Sequence, residues 1–353
     1  MKTEEREALR RKVRYFYDLQ KVRIQLGNRT DDPDLYVLKK DAHTGKDKKV
    51  KKKTTKAQAQ EALQSLANRL ASKPREVNPD EAPAPLVLDE EDRLFLRRQN
   101  ILLESLENDT LDRIEDVIET QPVYRDFLKP VKGCGPTMSA VILSEVQMAV
   151  QVDPDILLGE DILRKEDVAI EDVNGEKWSY VYATHLVKTE KKPGKEDPEG
   201  TPTIVESEVL RKYFWKGKDL YHDMCPTVSA LWSYAGIAVD TQTGLARRRT
   251  KGQRFNWNPF LKTKVLGVLA DCMIKAKPEK YREIYDNYKH RKESAGWGRS
   301  KAHRHRAAIR VMMKAFLADL WNFWRAREGF PVVPPYSEAM LGRKHGDHGG
   351  VVG

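Results

Sequence analysis

Apolar residues that recur at three- and four-residue steps constrain the fold of this chain more than any other feature. One such stripe, between residues 301 and 325, contains Ile309, Met313, Phe316, Leu320 and Phe323. This spacing is typical of an amphipathic helix packed on a core. Similar stripes predict helices over residues 4–29, 57–72 and 90–120. The expected fold is therefore mainly α.

Two stretches depart from the helical pattern. Residues 168–170 and 178–187 are rich in β-branched and aromatic side chains, and Asn174-Gly175 between them predicts a tight turn. We expect a small β-hairpin there, inside an acidic α/β insertion at 148–222. Residues 39–56 hold nine lysines and two aspartates, a composition that predicts a basic disordered segment near the N-terminus.

These patterns predict six successive regions. They are an N-terminal amphipathic helix (1–30), a basic and Pro-rich tether with a short helix (31–90), helices with a glycine hairpin (91–147), the acidic insertion (148–222), a basic helical core (223–330) and a flexible tail (331–353). Because no run of about 18 apolar residues occurs, we expect no membrane-spanning helix. The charged first residues also predict that no secretory signal is present. The three cysteines have no paired spacing, so neither disulfides nor a zinc site is expected.

The charge is divided unevenly along the chain. Residues 246–327 hold 22 lysines and arginines against 6 aspartates and glutamates, whereas the whole chain has a formal net charge of only +10. A basic region of this kind attracts polyanions and supplies the salt-dependent part of nucleic-acid affinity. The alternative is a solvated surface with a lysine-rich tail, since blocks of like charge are often no more than that.

The most specific local motif is Val131-Lys-Gly-Cys-Gly-Pro136, which lies between two predicted helices. Gly133 and Gly135 allow a tight turn, and Pro136 suits the first turn of a helix. The N–H groups of such a turn and helix start can hold a phosphate. We therefore predict that Gly133, Gly135 and Thr137 bind a backbone phosphate in a helix-hairpin-helix. An ordinary connection between helices is the alternative.

A second group of residues combines hydroxyl and basic side chains. Thr241 and Thr243 precede a basic cluster of Arg247, Arg248, Arg249 and Lys251. A threonine hydroxyl can attack phosphorus if a base or cation activates it, although threonines in polar loops more often shape turns. Arg306, Arg310 and Lys314 lie four residues apart on the strongest predicted helix. We expect both sets of cations to bind nucleic-acid phosphates.

Taken in order, these segments resemble the C-terminal part of the insertion-sequence 110/116/902 transposases. The resemblance covers residues 1–30 and 91–327. It rests on an arginine-rich N-terminal helix, with Arg10, Arg11, Arg14, Arg23 and Arg29, and on five further segments. They are Gly133-Cys-Gly-Pro-Thr-Met-Ser-Ala-Val-Ile-Leu-Ser-Glu145, Tyr234-Ala-Gly-Ile237, Thr250-Lys-Gly-Gln253, Phe260-Leu-Lys-Thr-Lys-Val-Leu266 and the basic helix from Ala302 to Leu317.

The resemblance implies a DNA-binding protein that acts in DNA transposition or recombination, with DNA, or DNA together with a guide RNA, as partner. It further implies a homo-oligomer, no membrane association and a cytoplasmic, nucleoid-associated location. Thr243, or less favourably Thr241, would replace the family's catalytic serine. The family's RuvC-like nuclease domain has no counterpart in residues 1–130. No metal site or cofactor is therefore expected, and Mg²⁺ would enter only with a partner's nuclease domain.

Two interpretations other than an active recombinase remain open. The first is a non-catalytic nucleic-acid-binding or structural protein, which the lack of acidic nuclease residues favours. A helix-hairpin-helix DNA glycosylase is a weaker alternative, since Val152-Asp153 follows the glycine turn. Thr137 stands where bifunctional glycosylases have lysine, and the spacing to Asp153 is about two residues short. His290, His303 and His305 are better explained as phosphate contacts or surface residues than as metal ligands.

Overall fold

The fold is described from a computed structural model of the chain. The structure describes residues 3–30, 36–40, 47–51, 57, 60, 61, 64, 90–173, 176–191, 203–239, 257–297 and 300–332. The chain divides into two compact units, residues 4–118 and residues 119–353, the second together with residues 1–3.

The first unit contains two long helices, α1 (Thr3–Thr30) and α2 (Glu90–Glu119). The apolar stripe of α1 is buried at Leu9, Val13, Phe16 and Leu19, and that of α2 at Ile114 and Ile118. The Arg23 guanidinium donates two hydrogen bonds to the carboxylate of Glu107. The predicted helices over 4–29 and 90–120 are thus confirmed. In the predicted helix over 57–72, the described residues 57, 60, 61 and 64 are helical.

A short antiparallel pair, β1 (Tyr36–Lys40) and β2 (Asp47–Lys51), lies in the lysine-rich stretch. Its register runs from Tyr36 opposite Lys51 to Lys40 opposite Asp47. The prediction of disorder over 39–56 is therefore wrong for these two strands. A β-ladder is formed by hydrogen bonds between backbone groups. A high content of charged side chains therefore does not exclude strand pairing. The predicted Pro-rich linker at 79–85 lies outside the described residues.

The second unit contains a five-stranded antiparallel sheet in the order β3-β7-β6-β5-β4. The strands are β3 (Ala149–Val152), β4 (Ile162–Val173), β5 (Glu176–Lys191), β6 (Thr203–Lys216) and β7 (Asp219–Asp223). The predicted hairpin is confirmed as β4 and β5, with Val173 opposite Glu176. The connecting residues 174–175 lie outside the described residues.

This sheet shows that the predicted fold class was wrong. A mainly α protein with one small hairpin was expected, but the chain is a mixed α/β protein. The main omission is β6, which pairs along its length with β5, from Lys191 opposite Thr203 to Tyr180 opposite Phe214. Acidic residues 206 and 208 and basic residues 211 and 212 interrupt the apolar pattern of β6. Since pairing on both edges stabilises the strand, it forms without a long apolar run.

Six further helices complete the second unit as described. They are α3 (Pro136–Glu145), α4 (Val228–Tyr234), α5 (Pro259–Lys264), α6 (Ala270–Ala276), α7 (Glu279–Ser294) and α8 (Lys301–Glu328). A π-helical turn, Val265–Leu269, joins α5 to α6. The predicted stripe of α8 is confirmed, with Met313, Phe316 and Leu320 fully buried. No helix in the described part of the chain is long and apolar enough to cross a membrane.

The C-terminal half of α8 is joined to the sheet by a buried ion pair. Arg325 donates to both carboxylate oxygens of Asp223, at 2.7 Å and 3.0 Å, and both side chains are almost inaccessible. The same guanidinium donates to the carbonyl oxygens of Cys225 and Pro331. Trp321 Nε1 also donates to the Cys225 carbonyl, at 2.8 Å. These bonds fix the end of α8 on β7.

Candidate nucleic-acid interface

The predicted glycine turn lies between a π-helical turn, Tyr124–Leu128, and α3. Gly133 has φ +93°, a value that disfavours any residue with a side chain. A Cβ on Gly133 would lie 2.8 Å from Cα of Met273 and 2.9 Å from the carbonyl oxygen of Cys272. Gly133 is therefore required because the turn packs directly on the backbone of α6.

Gly135 has a different role from Gly133. It is exposed, has extended backbone angles as the N-cap of α3, and a Cβ there would meet nothing within 4 Å. Pro136 occupies the first turn of α3 as predicted, and Thr137 beside it is half-buried. The fold does not need Gly135 for packing, so the space beside it is open to a ligand. Gly133 and Pro136 take the expected places in the turn, whereas the turn does not require glycine at 135. Phosphate binding by the turn stays a prediction.

The three predicted cations of α8 lie in unequal surroundings. Arg306 is exposed, whereas Arg310 and Lys314 are half-buried. Lys314 Nζ lies 4.9 Å from the ring centre of Trp232, whose indole Nε1 donates to the Lys314 carbonyl oxygen at 3.1 Å. These contacts tie α4 to α8 and hold the Lys314 ammonium group over an aromatic face, a favourable arrangement for a cation.

A third half-buried cation is Lys262 of α5, whose charge interacts with that of Arg310. Its Nζ is 4.4 Å from the ring centre of Trp257. Burial first, and then the charge of Arg310, lowers the pKa of both Lys262 and Lys314. We call Lys262, Arg310 and Lys314 the three-cation cluster. Sequence reasoning missed Lys262, although the segment Phe260–Leu266, one of those on which the family resemblance rests, contains it.

Partial burial sets the electrostatics of the three-cation cluster. Desolvation is the largest cause of a lowered pKa at all three side chains, and Arg310 is the second cause at both lysines. Arg310 Nη1 is buried without a hydrogen-bond partner among the described groups. An unsatisfied buried donor costs about 1–3 kcal/mol, and more when it is charged. The cluster is therefore a destabilising arrangement for the isolated protein.

Two features of the surrounding backbone position Lys262. Gly236, with φ +67°, packs so tightly that a Cβ would lie 2.8 Å from Cδ of Lys262 and 2.9 Å from the Trp257 ring. Asn258 caps α5 by accepting from the Leu261 N–H at 3.0 Å. Its amide also donates to the buried carboxylate of Glu145, at 2.6 Å.

A short hydrogen-bond network thereby joins three helices below the cluster. The Tyr234 hydroxyl donates to the Glu145 carbonyl oxygen at 2.9 Å and accepts from the Asn258 amide at 3.0 Å. Glu145 ends α3, Tyr234 ends α4 and Asn258 precedes α5. The network explains why the Tyr234–Ile237 segment adjoins the start of a basic helix.

The glycine turn and the three-cation cluster lie near opposite ends of α3. Gly133, just before α3, packs on Met273, while Glu145 at its end bonds to Asn258. Helix α3 therefore runs antiparallel to the helical rod that α5, the π-helical turn and α6 form. Lys262 and Met273 are 11 residues apart on that rod, or about 16 Å at the rise of a helix. The glycine turn and the three-cation cluster are thus separate places, near the two ends of the largely buried helix α3.

The remaining predicted residues lie outside the described part of the chain. They are Thr241, Thr243, Arg247, Arg248, Arg249 and Lys251. The described residues that flank them are Val239, which follows α4, and Trp257, which packs on Lys262. The proposed nucleophile and basic cluster are therefore connected at one side to the three-cation cluster, and their own geometry is not described.

Other candidate residues have structural partners. Asp153 accepts from the Asp155 N–H at 3.0 Å and caps a 3₁₀ turn, Pro154–Leu158, so the glycosylase alternative gains no support. His305 Nδ1 lies 2.6 Å from the Tyr285 hydroxyl. The His303 ring stacks on Trp297 at 5.0 Å between centroids. The described residues include no group of three or more His, Cys, Asp or Glu side chains that could hold a metal ion.

One chain of polar side chains in the sheet was not expected from the sequence. His185 Nδ1 lies 3.0 Å from Asp161 Oδ2, and its Nε2 lies 2.8 Å from the Tyr213 hydroxyl. Desolvation raises the pKa of Tyr213. Because His185 and Tyr213 are both fully buried, a substrate has no access to them. We interpret this set as a structural link between β5 and β6.

Comparison with protein families, curated proteins and solved structures finds no match for this chain.

Proposed function

We propose that this chain binds nucleic acid, with DNA as the preferred partner, through phosphates that contact the three-cation cluster. The observation that carries the proposal is the cluster itself. Three half-buried cations from two helices have no carboxylate partner among the described residues. A protein that keeps desolvated positive charges unpaired gains stability when an anion binds them. The polyanion that matches a basic region of 22 lysines and arginines is a nucleic acid.

The glycine turn supports the same proposal. The exposed Gly135 and the first turn of α3 present backbone N–H groups and the positive end of a helix dipole. Such a site holds a phosphate without reading the base sequence. A role in DNA transposition or recombination follows from the family resemblance, as do a guide RNA beside the DNA, self-association and association with the nucleoid. These extensions are part of the proposal.

The first experiment measures binding of labelled duplex DNA, single-stranded DNA and structured RNA by fluorescence anisotropy across a salt series. The test variant combines Lys262→Gln, Arg310→Gln and Lys314→Gln. If each cation contacts a phosphate, the slope of log K against log salt should flatten by about 2–3. Duplex DNA should bind more tightly than structured RNA.

A matched variant controls for the loss of net charge. It combines Lys165→Gln, Lys188→Gln and Arg327→Gln, which remove the same residue types at exposed positions that face Asp167, Glu206 and Asp126. Its salt slope should equal that of the wild type. Equal slopes for the test and control variants would show that the cluster does not contact the nucleic acid, and absent binding would reject the proposed function.

The catalytic extension needs a separate test. If the Thr243 hydroxyl attacks a DNA phosphate, a covalent protein–DNA adduct should form and survive denaturing electrophoresis. The Thr243→Ala variant should bind DNA with unchanged affinity and form no adduct. Salt-dependent binding without any adduct, with and without added Mg²⁺, would favour a non-catalytic nucleic-acid-binding protein.

A further inference from the structure

The three-cation cluster concentrates charge in a way that an exposed basic surface does not. Arg310 and Lys314 lie one helical turn apart on α8. Lys262 of α5 packs against Gly236, four residues after the Trp232 that contacts Lys314, and its charge interacts with that of Arg310. In the described part of the chain, no carboxylate forms an ion pair with any of the three. Three formal positive charges therefore share one half-buried place.

Packing contacts restrict the ammonium groups of Lys262 and Lys314. Lys262 is held over Trp257 and against Gly236, and Lys314 is held over Trp232. The Trp232 indole is fixed in turn by its hydrogen bond to the Lys314 carbonyl oxygen. Because these contacts restrict both side chains before any ligand arrives, binding an anion costs little conformational entropy.

Arg310 adds a donor that the described protein groups leave unsatisfied. Its Nη1 is buried and has no hydrogen-bond partner. A guanidinium presents a planar set of donors that matches two phosphate oxygens at once. A phosphate that binds the accessible part of this half-buried guanidinium would neutralise its charge.

We infer that the three-cation cluster binds the terminal phosphomonoester of a nucleic-acid strand. This inference rests on the proposed function and makes its ligand more specific. A phosphodiester within a strand carries one negative charge, whereas a terminal phosphomonoester carries about 1.5 to 2 at neutral pH and offers three acceptor oxygens. The monoester therefore neutralises three cations more fully than an internal phosphate does.

The half-buried location favours the same ligand. An internal phosphate is attached to sugars on both sides, so both chain directions must leave the site. A terminal phosphate needs only one exit. The walls of the cluster are side chains of α4, α5 and α8, with Gly236 packed tightly behind Lys262. A strand end fits such a place more easily than a continuous backbone does.

The test uses single strands of about eight nucleotides, short enough that backbone contacts contribute little. Four versions carry a 5′-phosphate, a 3′-phosphate, hydroxyls at both ends, or a 5′-phosphate capped as its methyl ester. One of the two phosphorylated strands, with its phosphate at either the 5′ or the 3′ end, should bind about tenfold more tightly than the strand with hydroxyls at both ends. This gain is expected for added charge-assisted hydrogen bonds. The methyl ester, with one charge fewer, should lose most of that gain.

The Arg310→Gln variant should bind all four versions equally, while Arg327→Gln, on the same helix, should keep the preference. If the wild type binds the phosphorylated and hydroxyl forms equally but still binds long duplex DNA in a salt-dependent manner, this inference is wrong and the proposed function stands. Equal affinity for the methyl ester and the free phosphate would also overturn it. If no oligonucleotide binds at any salt concentration, the proposed function fails together with the inference.

Discussion

The two halves of α8 hold buried arginines in opposite ways. Arg325 has both carboxylate oxygens of Asp223 and two carbonyl oxygens as acceptors. Arg310, 15 residues earlier on the same helix, leaves Nη1 buried without a partner among the described residues. Both guanidinium groups are desolvated, but within the described part of the chain only Arg325 is neutralised by a carboxylate.

This difference separates a structural ion pair from a candidate binding group. A buried charge that is paired and hydrogen-bonded stabilises the fold once formed, and removing one partner is costly. A half-buried cation without a partner reduces stability until an anion arrives. Arg325 therefore holds the sheet on α8, whereas Arg310 is better explained by a ligand.

The largest expected effect tests the structural end of α8. Asp223→Asn should lower the free energy of unfolding by about 3–5 kcal/mol, because Arg325 is left as an uncompensated buried charge. Arg310→Met should leave stability unchanged or raise it, since it removes a desolvated charge that has no partner. Urea unfolding followed by tryptophan fluorescence measures both. If both variants lost a similar free energy of unfolding, Arg310 would have a structural role like that of Arg325.

The glycine turn offers a second contrast of the same kind. Gly133→Ala should destabilise by about 2–3 kcal/mol, because it places a Cβ against the backbone of α6 at a positive φ. Gly135→Ala should change stability by less than about 0.5 kcal/mol, since its Cβ meets open space. The bulkier Gly135→Trp should weaken DNA binding while the urea midpoint changes little. Unchanged DNA affinity in that variant would remove the turn from the proposed interface.

A smaller effect depends on pH. Burial and Arg310 hold the pKa of Lys314 below the 10.5 of a free lysine. At neutral pH Lys314 is protonated in both the folded and the unfolded state. The folded state therefore bears the full free-energy cost of this desolvated charge. As pH rises through the folded pKa towards 10.5, the unfolded state binds more protons and this cost disappears.

Lys314→Met should therefore be more stable than the wild type at neutral pH. Its advantage in urea midpoint should shrink as the solution approaches about pH 10. Lys188→Met, at an exposed lysine, serves as the matched control and should show no such trend. An advantage of Lys314→Met that stays constant with pH would mean that packing, not charge, explains it.

The smallest expected effect belongs to the exposed ion pairs. Lys188 and Glu206 face each other across β5 and β6 at 3.3 Å, and both side chains are more than half exposed. Lys188→Gln should change the free energy of unfolding by no more than about 0.5 kcal/mol. A loss similar to that of Asp223→Asn would show that burial does not decide the strength of ion pairs in this protein.

The parts of the fold that the sequence could predict are those specified by local pattern. The stripes of α1, α2 and α8 each repeat over many turns, and Asn174-Gly175 with its flanking strands is sufficient to indicate the β4–β5 hairpin. Strand β6 carries too much charge for its alternation to be clear, and its pairing with β5 joins residues up to 34 positions apart, Tyr180 with Phe214. The local sequence pattern does not indicate which distant strand β6 pairs with.

The candidate site was predictable to a similar extent. The spacing of Arg306, Arg310 and Lys314 indicates one helix face, but it cannot show that Arg306 is exposed while the other two are half-buried. The association of Lys262 with Trp257, Gly236 and the α8 cations arises from packing between α4, α5 and α8. Because those segments are distant in the sequence, only tertiary structure reveals that the three cations share one place.

The antiparallel packing of α3 on the rod of α5 and α6 has a consequence for nucleic-acid length. It sets about 16 Å between the glycine turn and the cluster, taken along the rod from Met273 to Lys262. If the glycine turn and the cluster hold two phosphates of one strand, these helices fix the distance between the two phosphates. The distance from the strand end to that internal phosphate would then be the same whatever the bases between them.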